Sequence, residues 1–365
     1  MPMTFTEATV DFEQWLGKQM PLLQPDLDFK HEQMAKDVFM FLRATFYRWV
    51  QTFPEVLPEL AAAPSVLSVG DLHVENFGTW RDVDGRLVWG INDFDEAYPM
   101  AYTNDLIRLA ASVQLAIETN NLKITTPAAV VAIQDGYIEW LTEGGRPFVL
   151  AEKSTWLRML AQEHLRDPVA FWEKMQALPE YTKTPPKPAE TLLKLALPEK
   201  AVEFKLCSRR AGLGSLGRIR LVALAKWRGG MIAREVKAMA NSACVWAEKK
   251  KITSTIYNDE IRHKAIRCHD PMVQTQDGWI VRRLAPDCSK IDLAEMPKQE
   301  EARFLHAMGR EVANIHLGTK DAAQIIQQDL KKRQKQSPNW LAEGADKMVK
   351  QLKLDWHEWR AKGKN

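Results

Sequence analysis

An α+β chain with two unlike parts is what these 365 residues predict, on three observations. Apolar residues recur at helical spacing through most of residues 1–180. Prolines then interrupt the chain at Pro179, Pro185, Pro186, Pro188 and Pro198. Beyond them, branched apolar runs separated by glycines replace the helical pattern. The expected division is a helical part over 1–180, a proline-rich linker over 181–200, a smaller β-rich lobe over 201–290, and helices over 291–365 that return to the larger part.

The bulk properties exclude several classes. Hydrophobic residues at 45% and charged residues at 27% describe an ordinary globular chain, long enough for one two-lobed domain or two smaller ones. The formal charge of +3 is too small to argue for nucleic acid. No apolar run approaches membrane-spanning length, and the opening MPMTFTEATVDFEQW is acidic rather than leader-like. Cys207, Cys244, Cys268 and Cys288 are widely spaced and read as reduced thiols. The expectation is a cytoplasmic protein with neither a nucleic-acid nor a membrane partner.

In chain order, Phe29–Phe53 carries a wide apolar face and reads as one amphipathic helix ended by Pro54 and Pro58. Val66–Val69 is a short apolar approach to the polar turn Gly70–Asn76. A hairpin turn at Asp82, Asp84 and Gly85 leads into the strand Leu87–Ile91, which empties into Asn92-Asp93-Phe94-Asp95-Glu96. Asp71, Asn76, Asp93 and Asp95 thus sit on two turns that a hairpin would bring together. Clustered oxygen ligands of this kind suit Mg²⁺ shared with phosphate; singly, such residues serve as ordinary turn formers. A helix follows Asp105, and further helices are expected over Thr126–Leu141, Ser154–Leu165 and Pro168–Leu178, with their aromatic residues in the core. A short helix at Ala189–Leu197 fits inside the linker.

Phe204–Met239 is the second informative stretch. Gly212, Gly214 and Gly217 form GxGxxG, weak alone and equally at home in a β-turn. A dinucleotide loop should open onto a helix, but Arg218–Ala225 reads as a strand, and Met231–Lys237 as another after the turn Arg228-Gly229-Gly230. Strand, glycine loop, strand and a lysine-bearing strand make the flap that covers nucleotide phosphates in kinases. Lys237 is then the phosphate-pairing candidate, oriented by an acid from a following helix, Glu260 in preference to Glu248. Gly278–Leu284 reads as a further strand. Glu300–Leu317 reads as a helix whose His316 belongs to its core or its end, and the basic run Lys331–Lys335 as a solvated face.

GDLHVEN at Gly70–Asn76, INDFDEA at Ile91–Ala97 and NDLIRLAAS at Asn104–Ser112 resemble the aminoglycoside phosphotransferase and choline kinase branch of the protein-kinase-like fold. With GxGSxG and Val236-Lys237 in this order, the chain is most similar to the bacterial uncharacterised family called domain of unknown function 2252, within that kinase-like group. Because the catalytic turns precede the glycine flap, the resemblance implies a circularly permuted, two-lobed kinase-like fold with a largely helical larger lobe. It implies ATP and Mg as cofactors and a small-molecule hydroxyl acceptor. Asp71 would be the catalytic base. Asn76 and Asp93 would hold Mg²⁺, with Asp95 as a second ligand nearby. Gly212, Gly214, Ser215 and Gly217 would cover the phosphates, and His73 would shape the turn. Asp105 would brace the catalytic loop, the alternative being a simple helix N-cap. One departure is Val69, where the phosphotransferases carry His. The leading expectation is therefore an ATP- and Mg-dependent phosphotransferase. The alternative is a nucleotide-binding pseudokinase or regulatory module, with AMP transfer a third reading and dinucleotide oxidoreduction the least favoured.

Overall fold

The computed structural model describes residues 3–150, 154–163 and 165–362, and its elements are those of an α+β chain. Met1, Pro2, Ala151–Lys153, His164 and Gly363–Asn365 lie outside the described residues, so the expected helix Ser154–Leu165 is seen as Thr155–Glu163. No helix among the described residues is long and apolar enough to cross a membrane.

The single helix expected over Phe29–Phe53 is instead three, Gln24–Lys36, Val38–Ala44 and Phe46–Val56. Asp37 leaves the helix with extended backbone, and its carboxylate accepts from the N–H groups of Phe39 and Met40 at 2.8 and 3.0 Å. Apolar periodicity runs through such a break unmarked, because the N-cap restarts the next helix almost in phase. Pro54 sits inside the third helix, which runs on to Val56.

Helices Tyr102–Glu118, Thr126–Glu143, Lys298–His316 and Trp340–Lys362 enclose one large core with these N-terminal helices. Lys298–His316 lies tightly against Thr126–Glu143: a Cβ on Gly136 would stand 2.0 Å from the carbonyl of His306. The core also carries two small sheets. Ser65–Ser68 pairs antiparallel with Tyr98–Ala101, and Phe77–Arg81 pairs with Leu87–Ile91, which is extended by Phe148–Val149.

Lys205–Ser208, Arg220–Trp227, Gly230–Ala238, Trp279–Leu284 and Gln274–Gln276 form a five-stranded antiparallel sheet in that spatial order. Strand alternation gives it two different faces. Leu221, Ala223, Val236 and Val281 pack under helix Lys187–Ala196, which lies within the proline-rich stretch and seals that face. Val222, Leu224, Ala233 and Leu284 on the other face meet Phe171 and Met175 of helix Pro168–Gln176. The rest of this second face carries Arg220, Glu235, Lys237 and Arg282, charged residues on largely apolar strands.

Glu311 of the long helix props the strand that ends in Asn92-Asp93. Its carboxyl accepts from Ile91 N–H at 3.2 Å and from Asn314 Nδ2 at 2.9 Å. Burial pushes it up to about 7 from an ordinary 4.5, with Arg267 pulling the other way. The folded chain therefore keeps a proton that the unfolded chain releases. This contribution to stability is complete below the unfolded value and disappears as pH rises through about 7. Glu311→Gln should accordingly flatten the fall in stability between about pH 5 and 8 by roughly 2 kcal/mol. Thermal unfolding across that range checks it, and an unchanged slope would refute the assignment.

Candidate active site

The turn Gly70–Asn76 is held from below by carboxylates and hydroxyls. Asp105 accepts from the N–H groups of Val69 and Gly70 at 2.7 and 3.0 Å. It does not cap its own helix, whose N-cap is Ala101 with no side-chain hydrogen bond. Asp105 is fully buried and lies 3.2 Å from His316 Nε2, while His316 Nδ1 is 2.8 Å from the Tyr137 hydroxyl. The core histidine thus props the aspartate that props the turn. Within the turn, Asn76 Oδ1 accepts from His73 N–H at 2.6 Å, His73 Nδ1 accepts from Glu75 N–H at 3.2 Å, and Ser112 Oγ accepts from Val74 N–H at 3.1 Å. Burial keeps the His73 imidazole well below its ordinary value, so it acts as a neutral part of the turn.

Asp71 projects from this frame with 19% of its side chain exposed. One carboxylate oxygen receives Nε (3.0 Å) and Nη2 of the fully buried Arg108, which also donates to the Leu42 carbonyl at 2.7 Å. Burial raises the Asp71 carboxyl and Arg108 offsets part of that rise.

The second acidic turn is tied to the first by Asn92 N–H donating to the Asn76 carbonyl at 2.9 Å. Asp93 has no ion-pair partner among the described residues; it accepts from the Asp95 N–H at 3.3 Å. Asp95 is bonded to Lys237 Nζ and lies 3.9 Å from Arg218. Burial would raise Asp95, but Lys237 and the arginines outweigh it and hold the carboxyl low. Burial also lowers Lys237 against the pull of Asp95 and Asp93.

Lys237 therefore pairs with Asp95 and not with a helix glutamate. Glu260, the preferred partner from the sequence, bonds Lys264 one turn on at 2.6 Å and is 41% exposed; Glu248 bonds Tyr98 and Lys250. Both acids come after a strand whose distance from their helices the sequence does not show. Asp95 reaches the lysine because the sheet lies over the acidic turns.

The glycine loop hangs from the first two strands of that sheet. Gly212 and Gly217 have φ of 72° and 92°, a region costly for other residues. Gly214 answers to proximity instead: a Cβ there would stand 3.0 Å from the Arg43 carbonyl and 3.2 Å from Asp71 Oδ2. The loop therefore closes directly over the acidic turn. Ser215 Oγ accepts from Arg220 Nη2 at 2.9 Å.

Beside the loop lies a cluster that motif reading missed. Glu235 is 1% exposed and receives Arg220 Nη1 at 2.7 Å, Arg282 Nε at 2.8 Å, and Arg209. Burial would raise this carboxyl; three guanidiniums hold it well below the usual range. Three cations on one anion leave net positive charge facing the cleft. The available signal was a charged residue on the same face as apolar ones within each strand, as in Arg220, Glu235 and Arg282.

Two cavities meet here. The larger, about 270 Å³, lies under the five-stranded sheet and is lined by Glu235, Lys237, Arg220, Arg282, Arg267 and Leu284 among others. The smaller, about 70 Å³, holds Asp71, Lys30, Arg43, Glu96, Tyr47 and the glycine loop. Asn76, Asp93, Asp95, Gly212 and Lys290 line both. Asp71 belongs only to the smaller and Lys237 only to the larger.

No group of three or more His, Cys, Asp or Glu among the described residues could cage a metal ion. The donor set at the junction is one unpaired carboxylate, Asp93, and one amide oxygen, Asn76, with Asp95 committed to Lys237. That set fits Mg²⁺, which commonly takes one or two protein carboxylates and completes its shell with water and phosphate oxygens.

A family model described as "Uncharacterized protein conserved in bacteria (DUF2252)" matches residues 23–168 and 268–362, about two thirds of the chain. Asp71, Asn76, Asp93, Asp95, Asp105 and Arg282 fall within the matched stretches, whereas the glycine loop, Glu235 and Lys237 fall between them. Neither a curated protein nor a solved structure matches the chain.

Proposed function

The chain belongs to the bacterial family DUF2252, and from the geometry of its cleft we propose that it is an ATP- and Mg-dependent phosphotransferase acting on a hydroxyl of a small molecule. One observation carries this reading. The two cavities meet at Asn76, Asp93 and Gly212, with Asp71 and the glycine loop on one side and the lysine and arginines on the other. A donor and an acceptor would face each other across the residues suited to the metal. The glycine loop between two antiparallel strands, with Lys237 on the strand that follows, supports a kinase-like flap. Its position after the acidic turns supports a permuted order.

In this reading the nucleotide phosphates lie beside Gly212, against Lys237 and the arginines on Glu235, while Gly214 and Ser215 stand over Asp71. Asp93 and Asn76 would hold Mg²⁺, which when bound would neutralise charge on the phosphate oxygens. Asp71 orients the acceptor hydroxyl and takes its proton. The acceptor oxygen bonds to the terminal phosphorus as the bond from that phosphorus to the bridging oxygen breaks, and ADP departs. Such chemistry depends on positioning and charge more than on covalent help.

Thermal unfolding with and without Mg-ATP tests the donor half. A hundredfold excess over Kd should stabilise the chain by about 2.7 kcal/mol, a rise of a few degrees. Asp93→Ala should lose most of that rise; an undiminished rise would count decisively against the metal role of Asp93.

A second reading, a nucleotide-binding regulatory module that transfers nothing, has one feature in its favour. Gly214 sits so close to Asp71 that the flap narrows the acceptor side. Turnover by the Asp71 variant, argued in the Discussion, separates the two.

A further inference from the structure

Resting on the phosphotransferase reading, we propose that the acceptor is a small hydroxylated anion, its carboxylate or phosphate held in the smaller cavity by Lys30 and Arg43 while its hydroxyl faces Asp71. Lys30 lies on helix Gln24–Lys36, is 3% exposed, and lines the cavity. Its ammonium stands 5.7 Å from the centre of the Tyr47 ring and has no carboxylate within 4.0 Å among the described residues. The acids around it are engaged elsewhere. Glu13 is 2.7 Å from His31 Nε2, Glu96 accepts from Ala243 N–H at 2.7 Å, and Asp71 is bonded to Arg108. Arg43 reaches Glu75 at 3.0 Å through Nη1, but its buried Nε has no hydrogen-bond partner.

A buried ammonium without an anion is costly, and a ligand that supplies one removes the cost. The cavity wall leans the same way. Lys30, Arg43, Arg218 and Lys290 line it against Asp71, Asp93, Asp95 and Glu96, of which Asp71 and Asp95 are already neutralised from outside by Arg108 and Lys237 and Glu96 is paired with Arg218. A cationic acceptor of the aminoglycoside kind would meet like charge here. Phe12, Phe46 and Val69 supply the apolar remainder, suited to a short carbon chain. At the space one water needs, 70 Å³ admits roughly five waters, so the part of the acceptor that enters is about the size of a carboxylate with the hydroxyl-bearing carbon beside it.

The test is thermal unfolding of the full chain with glycerate, glycerol 3-phosphate or glycerol at about 10 mM, all without nucleotide. At least one anion should raise the melting temperature by a degree or more, and neutral glycerol should not. Lys30→Met should melt higher than the parent without ligand, because it removes an unpaired buried charge, and should lose the anion shift. Lys30→Arg should keep part of it. Equal shifts with glycerol, no shift with either anion, or a shift that survives in Lys30→Met would each overturn the proposal, the last by assigning the anion to the arginines of the larger cavity. Mg-ATP should still stabilise Lys30→Met. If Mg-ATP stabilises neither protein while the anion shift follows Lys30, the phosphotransferase reading fails and the anion site stands.

Discussion

Glu235→Gln should destabilise the fold by about 3–5 kcal/mol, the range found when one member of a buried charge cluster is removed. The side chain is 1% exposed and is the one carboxylate that Arg209, Arg220 and Arg282 share. Glutamine keeps the shape and one accepting oxygen but removes the charge, leaving three guanidiniums facing one another beneath the sheet. Arg220 and Arg282 are themselves nearly buried or half-buried, so solvent screens their repulsion weakly. Chemical denaturation of parent and variant measures the loss. A change below about 1 kcal/mol would mean that the arginines relax into solvent and that the cluster is not the tight anchor described. The same experiment bears on function. If the cluster is a phosphate seat, Mg-ATP should restore part of the lost stability, because its phosphates supply negative charge where the carboxylate stood.

The acidic turns were legible in the sequence because each is a contiguous run closed by short-range structure. Gly70–Asn76 and Asn92–Glu96 flank a hairpin only a few residues long on each strand, and local chain geometry brings them together. Asp105 was legible as a brace only through resemblance; spacing alone equally allowed a helix cap. The glutamate–arginine cluster was hidden for a different reason. Its members lie at 209, 220, 235 and 282, and only cross-strand register, with Glu235 opposite Arg282 and Val222, assembles them. The partner of Lys237 failed on the same ground. Asp95 is 142 residues away, and their meeting depends on where the sheet rests on the rest of the chain. The break at Asp37 was available in principle, since Asp before an apolar run is a helix-start signal. A strong apolar period on both sides concealed it.

These two kinds of legibility divide the site. The proposed base and metal residues Asp71, Asn76 and Asp93 come from one local unit, whereas those that would meet the donor phosphates are gathered by sheet register. The family match follows a similar line: it spans the acidic turns and the strand of Arg282 but not the glycine loop or Lys237. Asp71, Asn76 and Asp93 accordingly form the part of the cleft where the proposed chemistry converges. The largest effect on activity should be found there.

Asp71→Asn should lower phosphoryl transfer by roughly 10²–10⁴-fold, the usual worth of a positioned general base. Asparagine still offers Arg108 an amide oxygen, so the guanidinium that donates to Asp71 and to the Leu42 carbonyl keeps both acceptors. What disappears is the second carboxylate oxygen, the one beneath Gly214, and with it the capacity to take a proton from an acceptor hydroxyl. Because Asp71 lines only the smaller cavity, Mg-ATP binding should survive, and the melting shift measures that directly. Burial raises the Asp71 carboxyl while Arg108 lowers it, so loss of the guanidinium leaves the raising effect of burial unopposed by its nearest cation. Arg108→Met should therefore reproduce much of the loss and shift the pH at which remaining activity appears upward. Slow ATP turnover across small hydroxylated acids, with parent and Asp71→Asn side by side, decides the matter. Turnover that the substitution leaves within tenfold removes Asp71 as the base; nucleotide binding with no turnover in either protein favours the regulatory module.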